Sequence, residues 1–395
     1  SIRCQNDLEL SEKLLEHHDV KRIKKKLEKM QERKPMGLRR RLMSSSVRLS
    51  SGMASDIHEI ADECIELLGL KIPLELYVFA SPQFNAMCFK PEDGRLFVMF
   101  ASSLLESFSH EELRFVMGHE LGHHIYGHHD IPIGYLLGGD AKPDPRLALE
   151  LFAWSRYAEI SADRAGAYCT KDLDSVARSL FKLASGLTGK TISFNLDDFL
   201  HQIDDMQVAD AEPGISAPKE DWFSTHPFSP LRVKALKLFD ESVHVRGDGM
   251  AKADLEIGVQ SLMGLMEPSY IEGKTEAAKF MRRLLYAAAI AIADASDGIG
   301  PEEVKVFEKF FGPGEFSQSL DVERLKEDLN NRVENAILHT SIPQRMQVLR
   351  DLCIVAQASG RITDEEREIM EQIADGLEIS RGFISRTIKL LIEPD

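Results

Sequence analysis

The feature that most constrains the fold of this 395-residue chain is a helix that ends in His119-Glu-Leu-Gly-His123. Ser109 with Glu112 three residues later forms a capping box, and Leu113, Val116, Met117, Glu120 and Leu121 keep the spacing of successive helical turns, so Leu104 to Tyr126 is expected to be mainly helical. Residues four apart lie on one helical face, so both imidazoles can reach a single metal ion with Glu120 beside it. On zinc, a coordinated water has its pKa lowered to about 7; a carboxylate can take its proton while the metal polarises a scissile carbonyl. The competing reading is a pair of surface histidines on an ordinary helix.

Further residues favour the metal. A second helix is expected from about Pro145 to Cys169, and within it Tyr157-Ala-Glu159-Ile-Ser-Ala-Asp163-Arg-Ala-Gly166 places two carboxylates four apart. Glu159 could supply a third ligand, and Asp163 a hydrogen bond behind the ligands. Ser224-Thr-His226-Pro-Phe-Ser-Pro-Leu-Arg232 adds a loop histidine and an arginine.

Together these motifs resemble the gluzincin metallopeptidases of the CAAX prenyl protease and HtpX type, over roughly residues 55–240. Those proteins share an HExxH helix, a later ExxxD helix and a His-Pro segment with an arginine six residues beyond the His, and all three occur here in that order. Asn85-Ala86 in a β-type run, then Leu104-Leu105 and Glu112-Leu113, also look like the family's approach to its zinc helix. The resemblance implies a zinc endopeptidase with one Zn2+ per chain, held by His119, His123 and Glu159, with Glu120 as general base. It further implies that His226 hydrogen-bonds the oxyanion and that Asp163 and Arg232 support the ligands. Plain structural pairing of Asp163 with Arg232, and an ordinary loop role for His226, are the bland alternatives. The substrate would be a polypeptide, added in extended form to a sheet edge near Asn85 to Phe89.

The sequence also contains a decoy. His129 lies ten residues after His119, as the third histidine does in the metzincin pattern HExxHxxGxxH. That pattern needs glycine where Tyr126 stands; the chain has Gly127, so the turn is out of register, and neither His128 nor Asp130 has turn chemistry in register.

A chain this long exceeds what one hydrophobic core usually organises. The expected class is α+β: a mainly helical zincin-like peptidase domain with a small β-sheet, plus a C-terminal all-α domain. The sheet is expected from Leu74 to Ala80, Phe84 to Phe89 and Arg95 to Phe100, separated by Ser-Pro and Asp-Gly turn signals and preceded by a helix from about Ile57 to Leu68. The expected divisions are a basic arm and Ser-rich linker at 1–53, the peptidase domain at 54–245, a linker at 246–275 punctuated by Gly247-Asp248-Gly249 and Pro268, and helices at 276–395. A further loop is expected at 212–220. In the last part Ala295 to Glu303 aligns without gaps with Ala358 to Glu366, a repeat. This part resembles the tellurite-resistance TerB-type helical domain. Its Asp294, Asp297, Glu302 and Glu303 are either candidates for a divalent cation or acids favoured at a helix N-terminus.

With 48 basic against 64 acidic residues the net charge is −16, which disfavours a nucleic-acid partner. Residues 21–41 run the other way and read as a solvated amphipathic arm, the alternative being peripheral docking on an anionic membrane or an acidic partner. Five scattered cysteines without a CxxC pair indicate neither disulfides nor a thiolate zinc site, and fit a reducing, cytoplasmic setting. The longest apolar run, Leu284 to Ala293, is too short to span a membrane, so access to prenylated or intramembrane substrates is not implied. No signal-peptide pattern opens the chain. The rival from another functional class is an inactive or latent zincin scaffold acting through its helical C-terminal module.

Overall fold

The computed structural model describes residues 1–32, 37–138, 145–188, 192–210, 224–266, 276–295, 300–311, 322–340, 342–357, 360 and 362–392. The expected loop at 212–220, Pro268, Asp297 and most of the repeat's two turns lie outside them. The class is α+β. Contacts gather the chain into two units, one from residues 1–202 and 224–252 and the other from residues 203–210 and from 253 onward.

The first unit opens with helices α1 (Gln5–Glu16), α2 (His18–Glu32) and α3 (Leu38–Ser45). Within the stretch expected as a basic arm, the structure packs α1 on helix α8 (Pro145–Thr170). Leu14 and Val20 are buried with Leu147, Leu151, Trp154 and Ala158. The polar Asn6, Asp7 and Ser11 are buried too, which is why no apolar stripe marked the contact. Lys21, Arg22, Lys25, Lys26 and Lys29 on α2 are exposed.

The sheet has strands β1 (Val47–Leu49), β2 (Leu74–Phe79), β3 (Ala86–Glu92) and β4 (Arg95–Ala101) in the order β1-β2-β4-β3. β2 and β4 run parallel; β1 and β3 pair antiparallel at the two edges. The three β-type runs form β2 to β4, with Asp93-Gly94 turning β3 into β4. β1 comes from the stretch read as a Ser-rich linker. Val47 and Arg48 are exposed, so β1 is held by its backbone ladder and carries no hydrophobic signature.

Helix α4 (Ser55–Leu67) follows β1, and β4 leads through α5 (Ser102–Ser107) into α6 (His110–Ile125). One sheet face, with Leu76, Cys88, Val98 and Phe100, buries against Ile60 and Cys64 of α4 and Leu113, Val116 and Met117 of α6. Leu38 and Leu42 of α3 cover Tyr77, Phe97 and Met99 on the other face. Beyond α6 come α7 (Ile133–Gly138), α8, α9 (Leu173–Ser185), α10 (Leu196–Asp210) and α11 (Ser229–Asp240).

The central contact is the crossing of α6 with α8. A Cβ at Gly118 would lie 2.9 Å from the Gly166 Cα and the Cys169 Sγ, and one at Gly122 would lie 3.0 Å from the Ala162 Cα. A Cβ at Gly166 would meet the Phe115 carbonyl oxygen at 2.5 Å. The two backbones therefore touch, which only glycine and alanine permit.

The second unit is all helix among the described residues: α12 (Lys252–Met263), α13 (Glu276–Ala293), α14 (Pro301–Phe311), α15 (Val322–Glu327), α16 (Leu329–His339), α17 (Ile342–Ala356), α18 (Asp364–Gly376) and α19 (Gly382–Ile392). α13 carries the longest apolar run and is its axis, with Leu284, Leu285, Ala288 and Ile292 packed against Leu349, Leu352, Met370 and Ile373. The two repeats share a cap: the Gly300 N–H donates to Glu303 as the Thr363 N–H donates to Glu366. Glu303 thus serves its helix, and Asp294 pairs with Lys326. No helix of the described residues is long and apolar enough to cross a membrane.

Gly166→Val is expected to destabilise the first unit by about 1–3 kcal/mol or more, because the added methyls overlap a backbone carbonyl that cannot withdraw. The midpoint of thermal unfolding measures it, and an unchanged midpoint would contradict the crossing.

Candidate metal centre

α6 turns His119, Glu120 and His123 toward the face that α8 meets, and α8 presents Glu159 and Asp163 from the other side. His119 and His123 oppose their Nε2 atoms at 3.1 Å. Glu159 Oε2 lies 3.6 Å from the first and Glu159 Oε1 3.5 Å from the second. Tetrahedral zinc with bonds of about 2.0–2.1 Å sets its donors roughly 3.4 Å apart, so these three residues fit one zinc ion. Among the described residues this is the one group of histidine, cysteine and carboxylate donors with such spacing.

The protons support the fit. His119 Nδ1 faces Asp163 Oδ1 at 2.9 Å, and Asp163 also accepts from Arg232 Nε at 2.7 Å and Nη2 at 2.6 Å. Burial alone would raise the Asp163 carboxyl; Arg232 and His119 bring it down to about 2. An ionised Asp163 can only accept, so the proton between them sits on His119 Nδ1; burial would lower the His119 imidazole, but Asp163 with nearby Glu159 and Glu120 raises it above its ordinary value. Burial, then the neighbouring His119, His128 and Arg232, push the His123 imidazole well below its ordinary value, which leaves it neutral. Glu159 Oε2 is buried without a hydrogen-bond partner, its nearest cation being Arg232 Nη2 at 3.4 Å. Such a concentration of donors calls for a cation.

Glu120 lines the same cleft, of about 500 Å³. Burial raises its carboxyl above the ordinary value and nearby Glu159 adds to this, against the opposing His119 charge, so it is poised to take a proton. His226 stands at the rim, 62% exposed, with its Nε2 3.5 Å from Glu159 Oε1 and its Nδ1 2.9 Å from the Thr225 hydroxyl. The loop that carries it is held from α8, where the Ser155 hydroxyl donates to the Thr225 carbonyl and Arg156 to the Ser224 carbonyl. Asn85 and Ala86, at the start of β3, line the opposite wall.

His129 also reaches the cleft but stands outside the donor cluster. Its Nε2 is buried without a hydrogen-bond partner, and burial with nearby His128 and His124 pushes the ring down to about 4. Its neighbour has a part that sequence reading missed. Gly127, at φ 69°, turns the chain after α6 so that buried His128 folds back on His123, Nδ1 to Nδ1 at 2.8 Å. On its far side, His128 Nε2 lies 3.0 Å from Asp7 Oδ2 on α1. The glycine was legible as a turn; the target of the turn was not.

Glu159→Ala is expected to lose zinc and hydrolysis together, whereas His129→Ala keeps its zinc. Metal content by plasma emission after dialysis against a weak chelator decides this, the reverse pattern overturning the ligand set.

The model of Peptidase family M48 matches residues 52–137 and 146–239 of this chain. Among curated proteins, the chain is 31% identical over 217 residues to the plastoglobule-localized metallopeptidase 48, chloroplastic, of Arabidopsis thaliana, covering 52% of this chain and 62% of that one. It is 23% identical over 222 residues to a protease HtpX homolog of Helicobacter pylori, covering 47% of this chain and 67% of that one. No solved structure matches. Residues 52–239, which carry the donor cluster, are thus similar to peptidase family M48, and the chain spans less than two thirds of the length of the chloroplast relative.

Proposed function

We propose that the chain is a zinc-dependent endopeptidase in which His119, His123 and Glu159 hold the metal and Glu120 is the general base. The observation that carries this reading is the convergence of two imidazole Nε2 atoms, 3.1 Å apart, beside a buried carboxylate oxygen without a hydrogen-bond partner, with a second, raised carboxyl in the same cleft. A zinc ion held there supplies an acidified water and a Lewis acid for the scissile carbonyl.

The remaining work falls to the protein. Glu120 takes the proton of the attacking water on its carboxylate and passes it to the leaving amine. His226 receives the Thr225 hydroxyl proton at Nδ1, which leaves Nε2–H to donate to the oxyanion as the carbonyl carbon turns tetrahedral. Asp163 and Arg232 hold the His119 ring so that Nε2 stays aimed at the metal. The substrate is a polypeptide, laid in extended form along β3. As an edge strand on the cleft wall, β3 is the strand that the substrate joins, near Asn85 and Ala86.

An inactive scaffold would have no use for a raised Glu120 in the cleft or for a histidine poised at its rim. The exposed lysines of α2 leave peripheral contact with an anionic surface as a property of the same chain. The TerB-type reading of the second unit stays a proposal about fold, with recruitment of partners as its function.

Glu120→Gln is expected to keep its zinc while kcat on a peptide library falls by about 10²–10⁴-fold, because the amide fills the same space without accepting a proton. His226→Ala is expected to lower kcat by about 10²–10³-fold with little change in KM. Near-normal turnover by the first variant would sink the mechanism, and a pure KM effect in the second would move His226 to substrate binding.

A further inference from the structure

The two histidine ligands differ in what stands behind them. His119 leans on the carboxylate of Asp163 directly. His123 has no carboxylate behind it. Its Nδ1 meets the Nδ1 of His128, and the carboxylate comes one ring later, from Asp7 on the N-terminal helix.

Asp7 is fully buried and thoroughly held. Arg3 donates to it through Nε at 2.7 Å and Nη2 at 3.1 Å, and the Trp154 indole N–H donates at 3.1 Å. Burial by itself would raise this carboxyl; the hydrogen bonds from His128 and Arg3 outweigh that and lower it to about 2. An ionised carboxylate accepts and never donates, so the proton between Asp7 and His128 sits on His128 Nε2. The other ring nitrogen, His128 Nδ1, is the one turned on His123, 2.8 Å from its Nδ1. As an acceptor there it takes its hydrogen bond from His123. With its proton committed to Nδ1, His123 has its Nε2 lone pair left for the metal.

We infer that His128 and Asp7 are positioning residues of the metal centre: the Asp7 carboxylate, relayed through the His128 ring, fixes the tautomer and orientation of His123. The segment that composition marks as a polar arm thereby becomes part of the site, seated by Arg3, whose guanidinium lies over the Tyr126 ring 5.5 Å from its centroid. A purely structural reading, in which His128 and Asp7 merely pin α1 to α8, predicts damage to stability with no dependence on donor and acceptor order. The relay predicts such a dependence.

The test uses the 395-residue chain and rests on the zinc reading above, which the wild type tests separately. Zinc affinity is measured by competition with a chromophoric chelator, with the unfolding midpoint of the metal-free protein as the control for folding. Failure of the wild type to bind one zinc ion would refute the metal reading itself. With wild-type binding in hand, His128→Leu is expected to weaken zinc by about 10–100-fold, the usual cost of losing a ligand's support. His128→Gln is expected to recover affinity to within about threefold of wild type, because a glutamine amide can accept from His123 and donate to Asp7 in the same order. Undiminished affinity in His128→Leu overturns the relay, as does a His128→Gln protein that binds no better than His128→Leu at an unchanged midpoint. If His128→Leu does not fold, Asp7→Asn takes its place, keeping the side chain's size and removing its charge. Its zinc affinity is expected to fall severalfold, and wild-type affinity would overturn the proposal.

Discussion

Everything at the centre hangs on the crossing of α6 with α8. Glycines at 118, 122 and 166 and alanines at 162 and 165 let the two backbones meet, and at that separation short carboxylates on α8 reach imidazoles on α6. A wider crossing would strand Glu159 and Asp163 beyond bonding distance of their histidines. The sheet packs behind α6 and fixes its roll, so that the face turned to α8 carries the donors and the face turned to the sheet carries Leu113, Val116 and Met117.

Charge is buried around that contact, and two of the buried carboxylates are each paired with a guanidinium and an imidazole. Asp163 has Arg232 and His119; Asp7 has Arg3 and His128, with the Trp154 indole N–H as well. Buried ion pairs add little net stability, since desolvation offsets their attraction, but losing one partner leaves an uncompensated charge and is costly. Their worth here is geometric. A carboxylate pinned by an arginine cannot rotate, and the imidazole that leans on it inherits a fixed tautomer and direction. Glu159 is the exception, with an oxygen left without a hydrogen bond where the metal would sit.

Much was legible in the chain itself, for physical reasons. A capping box and residues at the spacing of helical turns specify α6 through local forces, and two histidines four apart then share a face wherever that helix goes. The β-type runs and the Asp-Gly turn specify β2, β3 and β4, because alternation and turn chemistry are local as well. Glu159 and Asp163 were readable as a pair on a second helix. What local patterning cannot encode is the meeting of elements far apart in sequence. β1 is held chiefly by backbone hydrogen bonds, with Val47 and Arg48 exposed and Leu49 alone turned to the core, so composition disguised it as a linker. α1 buries polar residues at its contact, so its docking on α8 left no apolar stripe to read.

The division of labour follows. The sequence by itself determined the helix that bears the two histidines and the carboxylate pair that answers it, since each depends on spacing within a few turns of chain. Tertiary structure alone decided that Gly127 returns His128 to His123 and that Asp7 waits behind it. No spacing rule links residue 7 to residue 128. The link exists only because α1 docks on α8, and a buried carboxylate must find a donor where the fold happens to place one.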